Sequence, residues 1–282
     1  MQDPKTYYNQ QFNARAAVPD HAHIFTRWKR DSAHVRRTHA CLADIGYGVE
    51  AGERLDLFPS RRRDAPLLVF IHGGWWRSLD KSDFSFVAPA FLDVGFNVAL
   101  TNYTLAPAAS LEAIVRQQLK ALAWLWRNAE SYDIDRNRIV VAGHSAGAHL
   151  TAMMLAARWP EYAEDLPVDL VKGGVLLSGV YDLEPLTHAD HVNVDLQLKT
   201  EHIGPLSPAF MPKASAAPVV TAVGGLESEE FHRQNALIAA NWKADLLADV
   251  ALPERNHMTI CDALATKGDA LFEAVKGMID GL

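Results

Sequence analysis

Gly143-His144-Ser145-Ala146-Gly147 places a serine at the centre of a G-x-S-x-G pentapeptide. A serine alcohol becomes a nucleophile when a base takes its proton and donors meet the negative charge that develops on the attacked carbonyl. The pentapeptide follows the apolar stretch Arg138–Ala142 and precedes an apolar face carrying Leu150 and Met153. That strand–turn–helix context holds a serine in a strained turn with its hydroxyl projecting. Gly143 and Gly147 give strand and helix room to approach, and the Ala146 amide, at a helix N-terminus, is a candidate oxyanion donor. A second amide is expected from another loop. His72-Gly73-Gly74-Trp75-Trp76 directly follows the apolar run Leu67–Ile71, and Gly73 and Gly74, free of a crowding Cβ, are its candidates. His72 reads as a structural hydrogen bonder. Trp75 and Trp76, with His144 and Tyr181, are the candidate walls of a small acyl pocket, with core packing an equal alternative for the two tryptophans.

The serine needs a base, and the base needs a carboxylate to orient it. Twelve histidines are present, so position must choose among them. His257 lies just after the last expected strand and before the terminal helices, which makes it the candidate base. His202 falls in an irregular stretch and His232 inside a helix. The acid is expected after the strand Ala217–Val223, where the chain reads Gly224-Gly225-Leu226-Glu227-Ser228-Glu229-Glu230. Ser228 reads as an N-cap, with Glu229 and Glu230 in the first helical turn, where the dipole favours them. That leaves Glu227 as the orienting acid, with Asp182 and Asp262 as alternatives. No H-E-x-x-H occurs, and His21-Ala22-His23 reads as a solvent-facing pair, so neither a metal nor an organic cofactor is expected.

These residues must be positioned by a sheet. Short apolar runs at Leu67–Ile71, Phe96–Leu100, Arg138–Ala142, Gly174–Leu177, Ala217–Val223 and Asp249–Leu252 alternate with amphipathic stretches. Leu111, Ile114, Val115, Leu119, Leu122 and Leu125 repeat at helical spacing behind Ser110 as N-cap. A helix bearing Leu150 and Met154 is expected to stop at Pro160. Phe231, Ile238 and Trp242 mark another helix, and Leu271, Phe272, Val275, Met278 and Ile279 a terminal one. Strands alternating with helices predict an α/β fold with a mainly parallel sheet covered on both faces. Residues 40–58 read as an antiparallel edge hairpin. Residues 1–39 read as a helical or irregular flap broken at Pro4 and Pro19. Residues 181–216, rich in proline, read as a small cap insertion over the carboxyl ends of the strands. No linker divides the chain, so residues 1–282 are expected to form one domain.

Composition narrows the function. The chain has 282 residues, 49% hydrophobic and 22% charged, with a net charge of −7. These values exclude a fully disordered chain and do not favour binding to nucleic acid or anionic membranes. The charge is uneven: residues 1–65 carry 11 Lys/Arg against 8 Asp/Glu, or +3, and the remainder 16 against 26, or −10. Arg61-Arg62-Arg63 reads as a solvated turn. Two cysteines, Cys41 and Cys261, make no disulfide framework. The polar start Met1-Gln2-Asp3-Pro4-Lys5 shows no signal peptide, and a soluble cytoplasmic protein is expected.

On these motifs the sequence resembles the arylformamidase (kynurenine formamidase) and carboxylesterase-like branch of the α/β-hydrolases. His72–Trp76, Gly143–Gly147 and the segment Glu227-Ser228-Glu229-Glu230-Phe231-His232-Arg233-Gln234 carry the likeness. The last is similar to the family's acid-S-x-E-F-x-R-Q segment. Tyr8-Asn9 to Val18-Pro19-Asp20 and Glu53–Phe58 are similar too, so the resemblance spans nearly the whole chain. It implies an α/β-hydrolase fold and a serine hydrolase with Ser145 as nucleophile, Glu227 as acid and His257 as base. The implied substrate is a small acyl ester or an N-formyl aryl amide. The family's animal formamidases usually carry Asp where Glu227 stands, and a smaller residue or Tyr is common where Trp75 stands. Alternatives are a broad short-chain carboxylesterase or, in a different class, a non-catalytic small-molecule binder. The sequence leaves a homodimer open.

Overall fold

The computed structural model describes residues 3–282, so the polar start is described only from Asp3 onward, and Met1 and Gln2 lie outside it. Eight strands form one sheet: β1 (Leu42–Gly46), β2 (Arg54–Phe58), β3 (Ala65–Ile71), β4 (Asn97–Thr101), β5 (Ile134–His144), β6 (Gly173–Leu177), β7 (Val219–Gly224) and β8 (Leu246–Leu252). Their order is β1-β2-β4-β3-β5-β6-β7-β8. The hairpin β1–β2 and the β2–β4 pair are antiparallel, and every pairing from β4 to β8 is parallel. Every residue of β3, β4 and β6 is buried. Such continuous burial is what a parallel sheet covered on both faces imposes on its central strands.

The two faces can be read at β6. A Cβ on Gly173 would lie 3.1 Å from the Met278 sulfur, and one on Gly174 would lie 2.3 Å from Leu155 Cδ1. Successive Cβ atoms of a strand point to opposite faces. The helices Ala146–Ala156 and Ala270–Asp280, which supply Leu155 and Met278, therefore cover opposite sides. Among the described residues no helix is long and apolar enough to cross a membrane.

Strand order reverses around β3, whose neighbours are β4 and β5. Open α/β sheets bind ligands at the carboxyl ends of strands beside such a reversal. Ile71, at the end of β3, pairs with Gly143 near the end of β5. The two glycine-bearing loops therefore leave the sheet side by side.

Several boundaries differ from the sequence reading. β5 begins at Ile134, four residues before the apolar run, because Ala65 pairs with Ile134 across an irregularity; polar Asp135–Asn137 hid that start. The helix Ala146–Ala156 ends before Pro160, and Pro160 sits in the first turn of the next short helix, Trp159–Tyr162, where its missing N–H costs nothing. Residues 3–39 are mostly helix: Pro4–Gln11 opens with Pro4, and His21–Thr38 follows Pro19. Arg61, Arg62 and Arg63 are exposed in the turn between β2 and β3. Residues 181–216 form short helical turns that dock on the helix Pro4–Gln11. Lys5 pairs with Asp190 at 2.8 Å, the Tyr8 and His188 rings stack at 5.9 Å, and the His191 ring meets Asn9 Oδ1 at 2.9 Å.

Candidate active site

Ser145 lies between β5 and the helix Ala146–Ala156 with φ 56° and ψ −118°, a combination costing about 1–3 kcal/mol for a residue with a side chain. Its amide donates to the Leu177 carbonyl at 2.8 Å. The flanking glycines are required by contact. A Cβ on Gly143 would lie 2.1 Å from the Gly147 carbonyl oxygen, and one on Gly147 would lie 1.9 Å from that of Ile71.

Ser145 Oγ is 3.0 Å from His257 Nε2, and His257 Nδ1 is 2.6 Å from Glu227 Oε2. An ionised carboxylate only accepts, so Nδ1 carries the imidazole proton and Nε2 is free to accept from the serine. The loop bearing His257 is pinned twice. Asn256 Oδ1 accepts from the amides of Met258 and Thr259 at 3.0 and 2.9 Å. His144 Nε2 donates to the His257 carbonyl at 2.6 Å. Burial, together with the neighbouring His257 ring, holds His144 well below the ordinary histidine pKa, so it is a neutral strut between the two loops. Phe231 packs on the His257 ring with centroids 4.4 Å apart.

Glu227 leaves β7 with its side chain fully buried. Its Oε1 accepts from the Gly224 amide at 2.7 Å and from Ser178 Oγ at 2.5 Å. Three donors thus meet one buried carboxylate, so its acceptor capacity is used rather than left unpaired. The alternative acids are engaged elsewhere: Asp182 with Arg233 at 2.9 Å and Asp262 with Arg27 at 2.6 Å. Ser228 occupies the N-cap position of Glu229–Asn241 but makes no capping bond. Its hydroxyl donates instead to the Gln11 carbonyl at 2.8 Å, tying the N-terminal segment to the acid's loop.

The loop after β3 faces the serine. Gly74 has φ +110°, and a Cβ there would lie 2.1 Å from the Ser78 carbonyl oxygen. A Cβ on Gly73 would lie 3.1 Å from Ser145 Cβ and 2.8 Å from the His144 carbonyl oxygen. Gly73 is therefore pressed against the serine's turn, while Gly74 closes tightly on Ser78 of its own loop. His72 anchors this loop from behind, stacked on Tyr103 at 4.4 Å and held at Nε2 by Asn102 at 2.9 Å.

A narrow cleft opens at Ser145 and His257. Gly74, Trp75 and His144 line it, but Trp76 and Tyr181 do not. Trp76 is fully buried, edge-on to His149 at 5.0 Å. Tyr181 is fully buried too, its amide donating to Gln234 Oε1 at 2.8 Å. Both belong to the core rather than the pocket. Residues 181–216 contribute nothing to the cleft walls either. Instead Ala14, Arg15, Phe25 and Trp28 of the N-terminal segment, with Leu79 and Met258, complete them. A second, smaller gap behind His257 is lined by Gln11, Ala14, Val18, Glu227 and Phe231. Ala14 borders both, so residues 11–18 lie across the histidine. Ser178 and the four N-terminal residues escaped the sequence reading. The only available signal for Ser178 was its place after an apolar run, and for Phe25 and Trp28 their helical spacing.

Such an arrangement can deprotonate an alcohol and receive negative charge beside it. The BD-FAE family model matches residues 55–166. The kynurenine formamidase of Danio rerio is 29% identical, over 97% of this chain and 94% of that protein. The kynurenine formamidase of Drosophila melanogaster is 34% identical over 58% of this chain and 54% of its own length. A solved structure from Silicibacter sp. TM1040, provisionally described as a thioesterase, superposes with a TM-score of 0.84 at 28% identity, covering 95% of this chain and 98% of that one. The chain has the α/β-hydrolase fold and is a hydrolase, and along nearly its whole length it is similar to kynurenine formamidases.

Proposed function

We propose that the protein is a serine hydrolase that cleaves a short acyl group, formyl above all, from an aryl amine or an alcohol through a Ser145–His257–Glu227 triad. The observation that carries this reading is the unbroken hydrogen-bonded line from the buried Glu227 carboxylate through His257 to Ser145 Oγ. In the proposed reaction His257 Nε2 takes the Ser145 proton as Oγ bonds to the acyl carbon. The oxyanion forms against the amides of Gly73 or Gly74 and of Ala146. As the tetrahedral species collapses, the bond to nitrogen or oxygen breaks and the imidazolium returns its proton to the leaving group. Water, deprotonated by the same imidazole, then cleaves the acyl-enzyme. Glu227 holds the tautomer and stabilises the imidazolium without taking its proton.

Two features support a small acyl group and an aromatic remainder. Space beside the serine is limited by the close approach of Gly73, where a Cβ would lie 3.1 Å from Ser145 Cβ. The open side of the cleft is walled by Phe25, Trp28 and Trp75. The kynurenine formamidase relatives favour N-formyl aryl amides; the esterase relatives favour simple esters. A panel of acyl esters and N-formyl aryl amines, N-formylkynurenine among them, tests the reading against Ser145→Ala. Wild-type turnover of at least one class is expected to exceed that of the variant by roughly 10⁴-fold or more. Equal rates in the two proteins would overturn it. A higher kcat/KM on short esters than on any formamide would favour a plain carboxylesterase.

A further inference from the structure

Resting on this hydrolase reading, we propose that Arg15 is a specificity residue that selects substrates whose leaving group carries a carboxylate. Apart from Arg15, the walls that the N-terminal segment, Trp75, Leu79 and Met258 give the cleft are uncharged. Arg15 itself is exposed, so it stands at the mouth while Ser145 lies at the base. Two contacts fix its guanidinium there. One terminal nitrogen donates to Ser78 Oγ at 3.1 Å, and the group lies over the Phe25 ring, 5.5 Å from its centroid.

Neither contact neutralises the charge. Arg15 makes no ion pair among the described residues, in a chain whose net charge is −7. By contrast Arg27, on the helix just beyond, is paired with Asp262, and Arg77, immediately before Ser78, with Asp195. A guanidinium has five donors in a planar fork. With one donor on Ser78, the others remain for a planar, two-oxygen acceptor, the geometry of a carboxylate. The acyl carbon must reach Ser145 at the base, where room is small. The larger, aromatic part of a substrate therefore extends along Trp75, Trp28 and Phe25 toward the mouth. A carboxylate on that part would meet Arg15.

Matched pairs test this: 4-acetoxybenzoate against its methyl ester, and 4-formamidobenzoate against its methyl ester. Wild-type protein is expected to prefer the carboxylate of the pair it hydrolyses, chiefly through a lower KM. In Arg15→Gln the anionic-to-neutral ratio of kcat/KM should fall about fivefold, the worth of one partly exposed charge-assisted contact. Arg15→Lys should keep part of the preference, and Arg15→Glu should lower the ratio further. Raised salt should erode the wild-type preference. Equal losses on both members of a pair, or an unchanged ratio, would overturn the assignment of Arg15. If neither pair is hydrolysed faster by wild type than by Ser145→Ala, the hydrolase reading itself fails instead.

Discussion

The cleft has two sides built on different principles. On one side stand the Ser145 turn, the Glu227 loop and the His257 loop, each at a strand exit and each held by short buried hydrogen bonds. On the other stand residues 11–28, on short and long helices outside the sheet, held by aromatic packing and by polar bonds near the surface. Trp28 is the anchor of that side: it is buried, packs on Phe84 and Phe86, and its indole N–H points to Asp262. Burial of such a side chain contributes roughly 1.5–3 kcal/mol, enough to seat a helix but not to fix an atom within tenths of an ångström. The sheet side is organised for chemistry that tolerates little displacement, and the helical side for shaping what enters.

That division assigns different kinetic effects to the two sides. Glu227→Gln removes the charge behind His257 and offers an amide donor where an acceptor is needed. It should lower kcat by about 10³-fold or more with little change in KM. A steady-state comparison on one ester checks this, and a loss expressed mainly in KM would place Glu227 on the shaping side. Ser178→Ala takes one donor from the Glu227 carboxylate and leaves the Gly224 amide. A loss of about tenfold in kcat is expected, with little change in KM. Ser178→Thr, which keeps the hydroxyl, should recover part of the rate; no recovery would make the role one of packing alone. Phe25→Ala opens the cleft wall without touching the triad. It should raise KM for aryl substrates about fivefold while kcat stays within about twofold, and a collapse of kcat would mean that the N-terminal helix also holds the triad in line.

The same division explains what one sequence could convey. Ser145, His257 and Glu227 follow strand ends, and strand ends are marked by apolar runs and glycines that sterics make obligatory, as at Gly143 and Gly147. The parallel sheet followed from continuous apolar runs, and its edge hairpin from the residues before Pro66. Side-chain direction was beyond reach. Trp75 and Trp76 are neighbours of one type, yet consecutive positive φ values of 53° and 54° turn the chain so that Trp75 lines the cleft and Trp76 enters the core. Nothing in their letters distinguishes them. Tyr181 failed for a related reason: it follows a strand end, but its place is taken inward by the Gln234 bond. Ser178 and Arg15 carry no spacing signal, since each meets the site across tertiary distance. The N-terminal residues were read as a flap near the site, but which of their side chains face it is set by how Trp28 seats the helix.

The bond from His144 to the His257 carbonyl has a mechanical meaning. His257 follows β8, whose residues alternate between exposed and half-buried up to Leu252, and sheet edges are where thermal breathing concentrates. His144 belongs to β5, deep in the sheet. The strut therefore references His257 to the strand that carries Ser145 instead of to the softer margin that delivers it. Undulations of the margin then shift the loop's far end more than the gap between His257 and Ser145.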